Sequence, residues 1–297
     1  MLVSVVIVTF NRLSLLKENL QHLLKQTHKV DKIFVINNNS TDGTTEYLND
    51  ISNEKIFAIN SDKNLGGAGG FSYGLKMAYE KSNSEFFWIM DDDTMPSDNA
   101  LSKLIISAER LHNNFGFLCS NVRWWKDNSS CNLPKLSENW GKIASDGLIK
   151  VSHATFVSIM LSRKMIDEVG FPIGDMFIWG DDTEYTKRLS SNADSYFVCD
   201  SIVEHKTSSN RSLENIYNAD RNRIHYYSYM YRNLLYIDRK LYNNKKYFKD
   251  IFRFLLIIFR IPCKANNYRI IRIQSMIKGI FHGVRFNPVV DYPESKG

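Results

Sequence analysis

Three adjacent carboxylates, Asp91-Asp92-Asp93, follow the apolar run 86–90. Side by side at a strand end they repel one another unless a cation neutralises them. Hard oxygen ligands on alternating sides of the backbone suit Mg2+ or Mn2+, which can in turn hold a diphosphate; the bland alternative is a solvated acidic turn before Pro96. A second acidic group, Asp181-Asp182-Thr183-Glu184, follows Trp179-Gly180. A carboxylate held beside a reacting bond can take the proton of a hydroxyl, and the same residues could equally cap the helix running through Tyr185, Lys187 and Arg188. His205 lies after a strand at 196–199. It completes a metal shell only if the fold carries it to Asp91 and Asp93; otherwise a lone histidine is structural. Gly66-Gly67-Ala68-Gly69-Gly70 opens a helix with little steric bulk, so backbone there could approach a phosphate or a sugar. It matches neither of the two familiar phosphate-loop patterns.

Such clusters need a rigid edge to stand on. Residues 3–9 form a β-branched run suited to a central parallel strand, and Leu13, Leu16, Leu20 and Leu23 then recur at helical spacing. Further strands are expected at 32–36, 55–59 and 85–90. Ser97 is placed to cap a helix with Leu101, Leu104, Ile105, Ala108 and Leu111 on its buried face. Repeated β-α-β units imply a parallel sheet with helices on both faces, whose ligands bind beyond the carboxyl ends of the strands. Asn11 and the segments 37–42, 62–70 and 91–93 all fall at those ends. Residues 122–150, with Trp124, Trp125 and Trp140, read as a long surface excursion, and from about residue 220 the pattern turns helical, aromatic and basic.

With 43% hydrophobic and 24% charged residues the chain has the profile of a folded globular protein. Cys119, Cys131, Cys199 and Cys263 are scattered packing residues, consistent with a reducing compartment. The N-terminal apolar run lacks a basic n-region and reads as a strand rather than a signal peptide. No run of about 18 apolar residues predicts a membrane span. The net charge of +6 is uneven: residues 221–285 carry fifteen basic against two acidic residues, +13, leaving −7 elsewhere. An acidic catalytic part followed by a basic arm suits an anionic surface or partner; no nucleic-acid motif accompanies it.

Taken in order, Val8-Thr9-Phe10-Asn11-Arg12, Asn38-Asn39-Ser40-Thr41-Asp42-Gly43-Thr44, Asn64-Leu65-Gly66-Gly67-Ala68-Gly69-Gly70-Phe71, Asp91-Asp92-Asp93, the segment from Phe177 through Trp179-Gly180-Asp181-Asp182-Thr183-Glu184 to Tyr185, and His205-Lys206 resemble the family 2 glycosyltransferases. The likeness covers about residues 3–206 and is nearest the branch of bacterial galactofuranosyltransferases and rhamnosyltransferases. It implies an α/β, GT-A (Rossmann-like) fold with a mixed, mostly parallel sheet and helices on both faces. The expected division is a catalytic domain over 1–215 (a nucleotide-sugar half at about 1–115, an acceptor half at about 116–215) and a basic, helical segment over 216–297.

The resemblance also assigns roles. Asp91, Asp93 and His205 would hold Mn2+ or Mg2+. Asp182 would be the base, with Asp181, Glu184 and Trp179 orienting it or the acceptor. Thr9, Asn11, Arg12, Asn37, Asn39, Asp62, Gly67, Gly69, Asp92 and Arg232 form the expected donor set. Many relatives have Asp where this chain has Asn37. The reaction implied is inverting transfer from a nucleotide-sugar donor, UDP-galactofuranose before dTDP-rhamnose, to a glycan or lipid-linked glycan acceptor in cell-surface polysaccharide synthesis. The expected location is cytoplasmic, peripheral to the inner face of the plasma membrane. Two other readings compete. A non-catalytic carbohydrate-binding protein would not need both acidic clusters and His205, and a nucleotidyltransferase would not explain Asp182.

Overall fold

The computed structural model describes residues 1–208 and 215–294. The chain opens with three β-α units: β1 (Val3–Thr9), α1 (Leu13–Leu24), β2 (Lys32–Asn37), α2 (Thr44–Asp50), β3 (Ile56–Asn60) and α3 (Gly66–Lys81). β4 (Phe86–Asp91) and the three-residue β5 (Thr94–Pro96) lead into α4 (Ala100–Arg110). Then come β6 (Leu118–Trp124), β7 (Lys135–Leu136), β8 (Leu148–His153), β9 (Ile159–Ser162), α5 (Arg163–Val169), α6 (Asp181–Asn192) and β10 (Ser195–His205). The described chain ends with α7 (Arg221–Ile224), α8 (Tyr226–Leu241), α9 (Asn244–Lys264) and α10 (Arg269–Arg285). The expected boundary at 215 adjoins residues 209–214, which lie outside the described residues, as do 295–297.

One mixed sheet of ten strands runs β3-β2-β1-β4-β9-β6-β10-β8-β7, with β5 paired to β10. Its first four strands are parallel, whereas β9 is antiparallel to both β4 and β6. Helices cover both faces, which is why β1 reads as an unbroken β-branched run. Leu16, Leu20 and Leu23 of α1 and Leu101 and Leu104 of α4 pack on Val3, Val5 and Ile7. Phe71 and Leu75 of α3 and Tyr185 and Leu189 of α6 pack on Val6, Phe87 and Ile89. Ser97 does not cap α4: the helix starts after Asn99, and the Ser97 hydroxyl instead donates to the Ile202 carbonyl at 3.0 Å, tying β5 to β10.

The topology dictates where a ligand can bind. The chain runs outward from β1 through β2 to β3, then returns to add β4 on the other side of β1, with Val8 beside Asp91 in register. That reversal opens a crevice at the carboxyl ends of β1 and β4. α8 docks over the same end: Tyr236 and Ile237 pack on Ala68, Ile173 and Met176. α10 lies close against α8, because a side chain at Gly279 would meet the Ser228 carbonyl at 2.7 Å. The buried Arg272 fastens the turn at 216–219, donating to the carbonyls of Ile216 at 2.6 Å and Ala219 at 2.8 Å.

Candidate active site

β4 ends at Asp91, and β5 begins only after Asp92 and Asp93 have turned the chain. β5 then pairs with the far end of β10, placing Thr94 opposite His205. That pairing brings His205 to the acidic turn. Its Nε2 lies 3.0 Å from Asp93 Oδ1, and its Nδ1 lies 2.9 Å from Asn132 Oδ1. Asp91, Asp93 and His205 each offer a ligand atom within 4.8 Å of the others. Two carboxylates and an imidazole form a mixed oxygen and nitrogen set that fits Mn2+ well and Mg2+ less well.

The charges at this turn are strongly perturbed. Burial, with Asp93 adding, pushes Asp91 up to about 6. Burial raises Asp92 to about 7 against the pull of Arg12. Asp93 is buried too, yet the hydrogen bond and charge of His205, with Arg12, hold it below the usual carboxylate range. Burial disfavours charge on His205, but Asp93 overrides it and raises the imidazole to about 10. Arg12 Nη1 reaches Asp92 Oδ1 at 3.1 Å and Asp93 Oδ2 at 2.6 Å. Three crowded carboxylates are thus balanced by one guanidinium and one imidazole.

A cleft of about 670 Å³ runs from this turn past Arg12, Gly67, Asp181 and Asp182 to Trp179, Tyr227 and Ile257. Asp181 and Asp182 open α6. Asp182 Oδ1 accepts from the Thr183 backbone N–H at 2.6 Å and from its hydroxyl at 3.3 Å; among the described residues its other oxygen takes no hydrogen bond. Burial raises Asp182, and burial together with Asp182 raises Asp181 well above the carboxylate range. Asp182 is also among the charges that raise Asp91, so the two acidic clusters act on one space. Trp179 walls it, edge-on to Tyr227 at 5.0 Å and under Arg223 at 5.3 Å.

The backbone that delivers Asp181 and Asp182 is strained. Phe177 adopts φ 63°, ψ −62° in a tight three-residue turn closed by Ile178 N–H to Met176 O at 2.7 Å. Trp179 and Gly180 follow at φ 61° and 94°. Each non-glycine outlier costs on the order of 1–3 kcal/mol and persists only where its surroundings over-determine it. Here the fully buried Asn233 of α8 donates to the carbonyls of Met176 at 2.9 Å, Ile178 at 3.2 Å and Trp179 at 2.7 Å. Arg232 takes those of Asp175 and Met176, and Ala68 N–H takes that of Phe177. Every carbonyl from Asp175 to Trp179 therefore has a donor. Asn233→Ala removes the bonds to three carbonyls; it should cost about 2–4 kcal/mol and lower turnover about tenfold by loosening Asp182. Thermal melts with turnover at saturating donor check this. A lower melting temperature with unchanged turnover would make the clamp purely structural.

Several expected site residues lie elsewhere. Arg232 is committed to those carbonyls and stacks on Phe286 at 4.0 Å, so it does not face the cleft. Glu184 is buried, its two oxygens accepting from Arg188 Nε and Nη2, both at 2.9 Å; two positions along a helix it lies about 200° from Asp182. Asn37 is buried, donating to Thr45 Oγ1 and Asn60 Oδ1 and accepting from Ser40 N–H, all loop-building contacts. Asn11 Oδ1 accepts from Thr41 N–H at 2.7 Å, joining the loops after β1 and β2. Thr9 is buried beside Asn37 in the β1–β2 register, and Asn39 and Asp62 are exposed on the loops after β2 and β3.

The glycine run serves packing more than ligand approach. A side chain at Gly66 would strike the Phe177 carbonyl at 2.1 Å, one at Gly70 would strike Val8 at 2.6 Å, and one at Gly69 would meet Leu65 at 2.8 Å. Only Gly67 opens into the cleft. Sequence reasoning missed Asn132, which positions His205, and Asn38, which accepts from Leu65 N–H at 2.7 Å and donates to Gly66 O at 3.0 Å, anchoring that run. An asparagine in a polar loop carries no signal that separates these contacts from ordinary turn chemistry.

The family model for glycosyl transferase family 2 matches residues 4–170, more than half of the chain. The chain belongs to glycosyl transferase family 2. Among curated relatives of this family 2 chain, galactofuranosyltransferase GlfT1 of Mycolicibacterium smegmatis is 24% identical over 208 residues, 66% of this chain and 68% of that one. GlfT1 of Mycobacterium tuberculosis H37Rv is 26% identical over 208 residues, 66% and 67% of the two chains. The Escherichia coli protein WfgD, named a UDP-Glc:alpha-D-GlcNAc-diphosphoundecaprenol beta-1,3-glucosyltransferase, is 24% identical over 181 residues, 60% and 68%. Of solved structures, GalNAc-T7 with UDP, GalNAc and Mn2+ superposes at TM-score 0.66 with 13% identity, covering 96% of this chain and 56% of that one. Staphylococcus aureus TarS gives 0.54 with 16% identity, covering 82% and 44%. The chain thus spans about half the length of these two structures, and the shared fold is GT-A.

Proposed function

We propose that this glycosyltransferase is inverting and cation-dependent, and that Asp182 is its base. One observation carries the reading: Asp182, with an oxygen free of described partners, shares a single cleft with Asp91, Asp93 and His205. A sugar hydroxyl placed at Asp182 gives up its proton as its oxygen bonds to the anomeric carbon, while the bond to the nucleoside diphosphate breaks on the opposite side. The centre inverts and no protein nucleophile is needed. Burial makes Asp182 a stronger base than a surface carboxylate. Trp179 lines the cleft as an apolar wall beside the acceptor position. A bound divalent cation, held by Asp91, Asp93 and His205, would neutralise charge on the departing diphosphate; the Mn2+ in the GalNAc-T7 structure supports that assignment.

For the donor we favour UDP-galactofuranose over dTDP-rhamnose, supported by the GlfT1 relatives. The diphosphoundecaprenol in the WfgD name supports a lipid-linked glycan acceptor. The test compares UDP-galactofuranose, UDP-galactopyranose, UDP-glucose and dTDP-rhamnose with Mn2+ and a glycan acceptor, reading nucleoside diphosphate release. Release with UDP-galactofuranose is the expected result. Turnover only with dTDP-rhamnose or a UDP-pyranose would overturn the donor choice.

A further inference from the structure

α9 and α10 each use one side to hold the fold together. On α9 the buried residues are Tyr247, Asp250, Phe254 and Ile261. On the opposite side Phe248, Phe252, Leu255 and Phe259 stand exposed at four- and three-residue steps, one continuous stripe. Phe252 is 63% and Phe259 77% exposed. α10 repeats the pattern. Met276, Gly279 and Gly283 are buried, and Ile270, Ile277, Phe281 and Val284 are exposed.

Cations flank these stripes. Lys245, Lys249, Arg260 and Lys264 are exposed on α9, and Lys278 and Arg285 on α10. The single acidic residue of the two helices, Asp250, is buried and paired with Lys246 at 2.8 Å and Arg253 at 3.3 Å. A second copy placed on this face would set cation against cation. An anionic lipid surface satisfies both features at once, because phosphates pair with the cations while the rings enter the acyl boundary.

We propose that the α9–α10 face docks the protein on an anionic bilayer surface. Ile257 of α9 lines the cleft, so one helix forms both a cleft wall and the docking face. The proposal rests on and deepens the reading of the acceptor as lipid-linked, since docking brings the protein to the surface where such an acceptor resides, with the cleft across α9 from the stripe.

The test is flotation of the whole chain at low salt with vesicles of phosphatidylcholine, alone or mixed with phosphatidylglycerol. The protein should float with the mixed vesicles, less as salt rises, and stay behind with phosphatidylcholine alone. Phe252→Glu with Phe259→Glu alters exposed positions only; it should keep the melting temperature and lower the bound fraction at least about tenfold. No flotation of the wild type, or equal flotation of the double variant, overturns the proposal. So does self-association abolished by the double variant in a protein that never floats, which would give the face to a second copy. Nucleoside diphosphate release with a water-soluble acceptor, read on the same samples, separates the two ideas. Flotation without release would sink the transfer reading alone, and release without flotation the docking face alone.

Discussion

Asp182→Asn should fold, bind donor with little change in KM, and lose on the order of 10²-fold or more in kcat. The amide keeps the oxygen that accepts from Thr183, so the start of α6 is undisturbed. What disappears is the oxygen that faces the cleft as a base. The alternatives nearby are weak ones. Burial and the neighbouring Asp182 disfavour charge on Asp181, and Glu184 is locked to Arg188. Steady-state kinetics with thermal melts of both proteins check the prediction. A near-wild-type kcat in Asp182→Asn would move the base to Asp181.

Asp93→Ala should abolish turnover, and so should EDTA on the wild type. Asp93 is the pivot of the cluster, bonding His205 through one oxygen and Arg12 through the other. Its removal deletes one of the three proposed ligand atoms, leaves the buried His205 without its main counter-charge and leaves Arg12 with Asp92. If a cation supplies several kcal/mol to charge on the leaving diphosphate, its loss corresponds to about 10³-fold or more in rate. Asp93→Asn keeps the shape and should fail as well, which separates charge from packing. Restoration of the EDTA-treated enzyme by Mn2+, and not of either variant, is the expected pattern. Full activity in EDTA would remove the cation from the mechanism.

The first four strands were legible because their units are local. Strand runs alternate with helical patterns, so β1 to β4 and their parallel pairing follow from that alternation, whereas their order in the sheet is seen only in the structure. The short strands β5 and β9 were not legible. β5 has three residues and β9 four, too short for a period to show, and both pair antiparallel with distant strands. The clusters could be seen, and Asp91, Asp93, His205, Asp181 and Asp182 do converge. Glu184 turns to Arg188, since adjacency along a helix is not adjacency in space. That Arg232, beside Asn233, clamps a loop is seen only with α8 docked.

Asp93 and His205 stand 112 positions apart in the chain. Asp91 and Asp93 come from one turn of the parallel half, whose contacts can form early and locally. His205 arrives only after β10 has inserted between β6 and β8 and bent against β5. Closing so long a loop costs entropy before any contact rewards it. A cation with affinity only for the completed triad would stabilise that last docking step by mass action. On the ribosome, where N-terminal segments emerge first, the half that carries the carboxylates would wait without a competent site. Cation affinity would then mark completion of the sheet.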